Sequence, residues 1–288
     1  MSSPGPDLSQ KIALVTGSSR GLGRATALML ARAGADVVVT YRKRAEEAAE
    51  VAEEIRALGR RAWVLALDME DVASIDAVFA AVEAEVGALD VLVLNAAATS
   101  FRPLLEAEPR HLERTYAIST VGFLRAVQKA VPLLEPRGGT IIGVSGADTR
   151  TYIPAHGILA GAKAAMESMI RYLACELGPR GITIFGVNPG TIMSDSMRVM
   201  LGDALYETAE AYESRSHPLR EAAAPEDVAE PIVLLCSPLA RWLHGSILDA
   251  DGGSVFAMTG RWMDEGARAA LKKGRLDASE AGPAATLR

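Results

Sequence analysis

Cysteine is scarce in this chain: among 288 residues only Cys175 and Cys236 occur. Two thiols so far apart make no disulfide framework, and each sits in an apolar helical pattern, so both are expected to be buried and reduced. Long apolar runs are missing too. No stretch of about 18 residues is uniformly apolar as a membrane-spanning helix requires, and the opening MSSPGPDLSQ is polar and turn-rich, without the apolar core of a secretory signal. A cytoplasmic protein with no membrane partner is expected. Clustered positive charge is also lacking. The formal net charge is −6, and the densest basic run, Arg42-Lys43-Arg44, is too short for a nucleic-acid surface. His111, His217 and His244 have no metal-ligand spacing with each other or with the cysteines, so no metal is expected. The nucleophile elbow G-x-S-x-G is absent, since GVSGA fails it, which argues against hydrolysis.

What is present is a regular alternation. Strand-like runs occupy 11–15, 36–41, 61–67, 89–94, 139–145, 181–187 and 245–251, and amphipathic segments such as 42–58 and 73–86 separate most of them. Continuous apolar strands alternating with helices predict a parallel sheet buried on both faces and joined by right-handed crossovers. The fold class is therefore α/β, a doubly wound, Rossmann-type sheet. No internal repeat or linker interrupts it, so residues 1–257 are read as one domain. Residues 258–288 shift to a charged, Ala-rich composition and are expected to form a partly disordered extension.

The first strand leads into Thr16-Gly17-Ser18-Ser19-Arg20-Gly21-Leu22-Gly23 and then the helical run ATALMLARAG. A strand, a glycine turn and a helix start together aim backbone N–H groups at a pyrophosphate. Gly17 suits the tight turn, Gly21 the close approach of a phosphate, and Gly23 close packing of helix on strand.

A second feature lies in IPAHGILAGAKAAMES, residues 153–168, where one lysine interrupts small and apolar residues. Pro154 fits a first helical turn, and the Ala-rich run predicts a helix ending near Gly178-Pro179. On such a helix Leu159 and His156 lie one and two turns below Lys163. A lysine on an apolar face either snorkels to water or is held in a cleft for its chemistry.

Together these motifs resemble the short-chain dehydrogenase/reductase family, whose glycine spacing is T-G-x-x-x-G-x-G. Asp68 resembles its adenine-contacting acid and Asn95-Ala96-Ala97 its N-A-G turn with the glycine lost. Pro189-Gly190-Thr191-Ile192 resembles the segment that lies over the nicotinamide. His217-Pro218-Leu219-Arg220, Pro225-Glu226-Asp227-Val228-Ala229 and Asp251-Gly252-Gly253 extend the likeness to the last strand. The resemblance implies cofactor contacts at Gly17, Ser19, Arg20, Gly21, Leu22, Gly23, Tyr41, Arg42, Asp68, Met69, Asn95, Ala96, Lys163, Pro189, Gly190 and Ile192. It also implies a homodimer or homotetramer. The second strand ends Thr40-Tyr41-Arg42-Lys43-Arg44 with no carboxylate to hold a ribose 2′-hydroxyl, and Arg20 can reach the same place, so NADP(H) is expected.

Lys163 falls where the family lysine binds the nicotinamide ribose and lowers the pKa of a proton-donating tyrosine. Three companion positions differ: the tyrosine falls on Leu159, the serine on Gly146, one past Ser145, and the asparagine on Ser119. Some bacterial enoyl-acyl-carrier-protein reductases of the family place their tyrosine seven residues before the lysine, and that position is His156. A leucine cannot donate a proton. The candidates that remain beside Lys163 are His156, Ser145 and Tyr152, together with water or a substrate hydroxyl. A nearby ammonium disfavours an imidazolium at His156. Met193, Met197, Met200 and Leu201 form an apolar stripe where the family places its substrate lid. The leading expectation is an NADPH-dependent reductase of a carbonyl or conjugated alkene, its substrate hydrophobic and polyketide-like or acyl-carrier-linked. A noncatalytic NADPH-binding subunit and a non-redox cyclase or dehydratase on the same fold stay open.

Overall fold

The computed structural model describes residues 5–194, 197–198 and 202–257. Seven parallel strands form one sheet in the order β3-β2-β1-β4-β5-β6-β7. They are β1 (Ile12–Val15), β2 (Asp36–Tyr41), β3 (Ala62–Ala66), β4 (Val91–Leu94), β5 (Thr140–Val144), β6 (Thr183–Asn188) and β7 (Ile247–Asp249). Every run read as a strand forms one: β2 keeps its full length, β6 starts two residues later and ends one residue further on at Asn188, and the others are shortened at their ends.

Alternation of side chains explains why these strands are apolar throughout. In β1, Ile12 and Leu14 face one helical layer, while Ala13 and Val15 face the other. In β4, Leu92 and Leu94 join the first layer, and Val91 and Val93 the second. The first layer contains α3 (Val72–Glu85), α4 (Pro109–Tyr116), α5 (Phe123–Leu134) and α6 (Gly157–Leu177); the second contains α1 (Gly21–Arg32), α2 (Ala45–Ala57) and α8 (Pro225–Leu235). Helix α7 (Asp203–Ser216) follows β6, and α9 (Ser254–Ala257) follows β7. Each buried Val, Leu or Ile contributes about 1.5–3 kcal/mol, so the two cores account for the fold without cross-links.

Three local features depart from the sequence reading. Helix α6 begins at Gly157, not at Pro154, because Ala155 takes the left-handed region at φ 64° and breaks the helical path before it. Between α4 and α5, Ala117–Gly122 widens into a π turn that carries Ser119 and Thr120 into the interior. Cys175 is exposed, not buried: it sits about 200° around α6 from Leu173, whose face is the one that packs. Cys236 is half-buried; its Sγ donates to the Ile232 carbonyl, and burial pushes the thiol up to about 12. No helix among the described residues is long and apolar enough to cross a membrane. Met200, Leu201 and residues 258–288 lie outside the described residues.

From β1 the chain builds the sheet outward through β2 and β3, and from β4 it builds the other way. The reversal leaves a crevice at the carboxyl ends of β1 and β4, where open α/β sheets bind ligands.

Candidate active site

The turn after β1 is tied down on three sides. The Gly17 N–H donates to Thr40 Oγ1 at 3.0 Å, and the Thr40 hydroxyl donates in turn to the Val15 carbonyl. The Asn95 and Ala96 N–H groups both donate to Thr16 Oγ1. Asn95 Nδ2 donates to the Thr16 and Gly17 carbonyls at 3.0 and 3.2 Å. Gly17 and Gly21 have φ of 65° and 56°, a region L side chains rarely enter. Gly23 is needed for a different reason: a Cβ there would lie 2.3 Å from the Gly17 carbonyl oxygen.

Helix α1 therefore starts at the crevice, with neither a side-chain cap nor an acid in its first turn. Its first N–H groups lack intrahelical acceptors and point to a site that favours an anion. The cleft in front of it has a volume of about 540 Å³. Of the residues read from the sequence, Gly17, Ser19, Arg20, Gly21, Leu22, Tyr41, Arg42, Asp68, Met69, Asn95 and Ala96 line it. Lys43, Arg44 and Ile118 line it as well. Gly23 lies behind the wall as packing.

Pro189, Gly190 and Ile192 stand apart from this wall, although Ser194 of the same segment borders it. Gly190 has φ 64°, and a Cβ there would come within 2.6 Å of Asp251 Cβ. The Asp251 carboxylate accepts bonds from the Gly253 and Val255 N–H groups and the Ser254 hydroxyl, so Asp251-Gly252-Gly253 braces the segment. Ile192 packs on the second core layer.

Basic residues gather at the β2 end of the cleft. Arg42 Nη1 lies 3.8 Å from Asp68 Oδ1 and 3.6 Å from Glu70 Oε2, and Arg44 pairs with Glu47. All of these side chains are substantially exposed, and such pairs contribute about 0–1 kcal/mol. An arriving phosphate can displace them at little cost.

Lys163 is not among the residues that line this cleft; it is held at the carboxyl end of β5. It is 4% exposed and its Nζ donates to the Val144 carbonyl, so the lysine is held inside rather than snorkelling. Burial pushes its ammonium down to about 8, against the attraction of Asp148 and Glu167. Ser145 is buried, and its hydroxyl donates to Glu167 Oε1 at 2.6 Å; Thr149 donates to the same oxygen at 2.9 Å. The Ser145 hydroxyl, a donor considered from sequence, is thus directed at a carboxylate in this structure. Tyr152 is 89% exposed and turns to solvent, because the preceding Thr151 is anchored to the Ala147 carbonyl and Arg150 to Asp249. It does not fold toward Lys163.

His156 occupies the position just before α6, without a side-chain capping bond. Its side chain is 28% exposed, and its ring centroid lies 4.7 Å from that of Phe101. Its Nδ1 is 3.3 Å from Asp148 Oδ2. Leu159, one turn below Lys163, is half-buried. Ser119 is buried, with no hydrogen-bond partner for its Oγ. The sequence reading missed Asp148 and Glu167. Glu167 had a signal, since it falls four residues after Lys163 on the same helical stripe. Asp148 had none, because its loop gives no periodicity.

The chain is similar to known proteins over most of its length. The profile of a family described as enoyl-(acyl carrier protein) reductase matches residues 17–255. A 1-cyclohexenylcarbonyl-CoA reductase of Streptomyces collinus is 35% identical over 244 residues, covering 85% of this chain and 86% of that protein. A hydroxynaphthalene reductase of Aspergillus fumigatus is 34% identical over 247 residues, covering 83% and 90%. Among solved structures, a landomycin C-6 ketoreductase with bound NADP and rabelomycin superimposes with a TM-score of 0.77 at 33% identity, covering 88% of this chain and 99% of that one. A promiscuous reductase that catalyses keto-reduction at C1 in lugdunomycin biosynthesis gives 0.79 at 32%, covering 86% and 99%.

Proposed function

Because the chain belongs to the short-chain dehydrogenase/reductase family, we propose that it is an NADPH-dependent reductase of a carbonyl or conjugated alkene in a hydrophobic small molecule. The observation that carries the reading is the joint presence of two separate devices: the anion-ready glycine turn after β1 and the buried Lys163, held on the Val144 carbonyl at the end of β5. Decay of a binding fold would have no reason to keep a buried ammonium, which costs stability unless it is used.

The residues fit the dinucleotide. Gly17 and Gly21 leave the backbone bare, and the α1 N–H groups can hold the pyrophosphate. Arg20, Arg42, Lys43 and Arg44 can hold a 2′-phosphate, and no carboxylate ends β2 to favour NAD. When bound, the reduced nicotinamide supplies the hydride. Lys163 binds and orients the ribose beside it. Leu159 contributes apolar surface and excludes water. His156 hands over the proton, its imidazolium giving one N–H to the reduced substrate. The ketone or enone is of polyketide-like or acyl-carrier-linked type, as the aromatic and thioester names of the relatives suggest. Met193 and Met197, in the segment after Gly190, provide adaptable apolar surface for it. Assembly as a homodimer or homotetramer through α4, α5 and α6 completes the reading; Leu112, Val121 and Tyr172 of this region are exposed.

Titration with both nucleotides tests it. NADPH is expected to bind at least tenfold more tightly than NADH, and Lys43→Ala with Arg44→Ala is expected to remove most of that preference, about tenfold for each lost charge-assisted contact. Equal affinity for the two nucleotides in the unaltered protein would contradict the basic-cluster argument.

A further inference from the structure

The loop between β5 and α6 places a carboxylate that the family resemblance does not account for. The Asp148 side chain is 5% exposed, and among the described residues its Oδ1 has no hydrogen-bond partner. Its Oδ2 lies 3.3 Å from His156 Nδ1. The other nearby acid, Glu167, is occupied by the Ser145 and Thr149 hydroxyls. Asp148 is therefore the carboxylate left to serve the imidazole.

We propose that Asp148 is the positioning residue of a carboxylate–imidazole pair, in which Oδ2 holds Nδ1–H of His156 so that Nε2–H delivers the proton that accompanies hydride transfer. The inference rests on the reductase reading. Two geometric observations carry it. Phe101 packs against the imidazole ring, so carboxylate and aromatic ring together restrict its orientation. The place of Asp148 depends on Gly146, because a Cβ at 146 would lie 2.5 Å from Asp148 Oδ1. A side chain at 146 would thus crowd the Asp148 carboxylate. The groups facing the pair are Lys163 and Glu167 from α6, and both Asp148 and Glu167 act on the Lys163 charge. Arg102 lies on the preceding loop, its backbone N–H donating to the Ala155 carbonyl, and the Tyr116 hydroxyl approaches Gly161.

The proton balance is simple. Imidazolium loses its Nε2 proton to the oxygen or carbon that becomes electron-rich as hydride arrives, and the neutral ring keeps Nδ1–H on Asp148. Solvent restores the proton through the exposed part of the ring.

The test is a ring NMR titration of the full chain labelled at histidine Cε1, run beside the pH dependence of kcat/KM. His156→Gln assigns the signal among the four histidines. In Asp148→Asn the His156 midpoint is expected to fall, with His111, His217 and His244 unmoved. The alkaline limb of kcat/KM should move the same way, NADPH affinity should change less than threefold, and Asp148→Glu should recover part of the rate. Gly146→Ala, which keeps every charge but crowds the carboxylate, should also shift the His156 midpoint, and it serves where Asp148→Asn folds poorly. An unchanged His156 midpoint in both variants would overturn the pair. If the unaltered protein binds NADPH without oxidising it on any substrate, the reductase reading fails, and the NMR titration still decides whether Asp148 governs His156.

Discussion

Lys163→Ala is expected to lower kcat/KM for NADPH-dependent reduction by about 10²–10³-fold and to weaken NADPH binding at least tenfold, with the fold intact. The size follows from placement: the ammonium is buried, fixed to the Val144 carbonyl, and flanked by two carboxylates, so no solvent ion can replace it. Stability moves little because two effects oppose. The folded lysine titrates at about 8 instead of 10.5, so the cost of burying its charge, on the order of 3 kcal/mol, is fully present below pH 8 and is relieved as pH rises toward 10.5. Removing it gains back that cost but leaves Asp148 and Glu167 without their cation, which is itself costly. Fluorescence titration with NADPH, single-turnover absorbance and thermal unfolding separate these effects. The Lys163 titration adds its own loss of activity near pH 8 for the unaltered protein, and Lys163→Arg should remove that component while leaving the one set by His156, since a guanidinium keeps its charge. Wild-type turnover in Lys163→Ala would remove the lysine from the cofactor site.

Gly23→Ala is the second large effect, and it acts on the fold and the site together. A methyl group there would sit 2.3 Å from the Gly17 carbonyl oxygen and 2.6 Å from Asn95 Nδ2. Neither is the free end of a flexible chain; one is backbone and the other is bonded to the Thr16 and Gly17 carbonyls. Helix α1 must move off the turn, at a cost of about 1–3 kcal/mol, and the N–H groups that face the pyrophosphate move with it. We expect a fall of several degrees in Tm and a loss of NADPH affinity of about 10²-fold. Retained affinity with a lowered Tm would mean that the α1 N-terminus does not hold the nucleotide.

Much of this architecture was legible because it is written in short-range pattern. Runs such as IALV and VLVL can only be strands buried on both faces, and their alternation with helical segments leaves the doubly wound sheet as the packing solution. The glycine turn was legible because φ and close approach restrict residue choice at Gly17, Gly21 and Gly23. Lys163 was legible as a charge on an apolar stripe. What escaped depends on tertiary contact. Nothing local announces that Ala155 turns left-handed and delays α6, or that Ala117–Gly122 widens to a π turn. Tyr152 looked able to fold inward until the anchors on Arg150 and Thr151 fixed its direction. Asp148 came into view only as a carboxylate filling the space beside Gly146.

The central claim is that the crevice binds NADPH and spends its hydride on a hydrophobic carbonyl or enone. The most direct measurement mixes the purified chain with NADPH and follows absorbance at about 340 nm against quinones, hydroxylated aromatic ketones, and β-ketoacyl and enoyl thioesters. Oxidation of NADPH, matched one to one by reduced product and lost in Lys163→Ala, is the predicted result. Tight binding of NADPH with no oxidation on any member of the panel, or product formed with the nucleotide unconsumed, would contradict it.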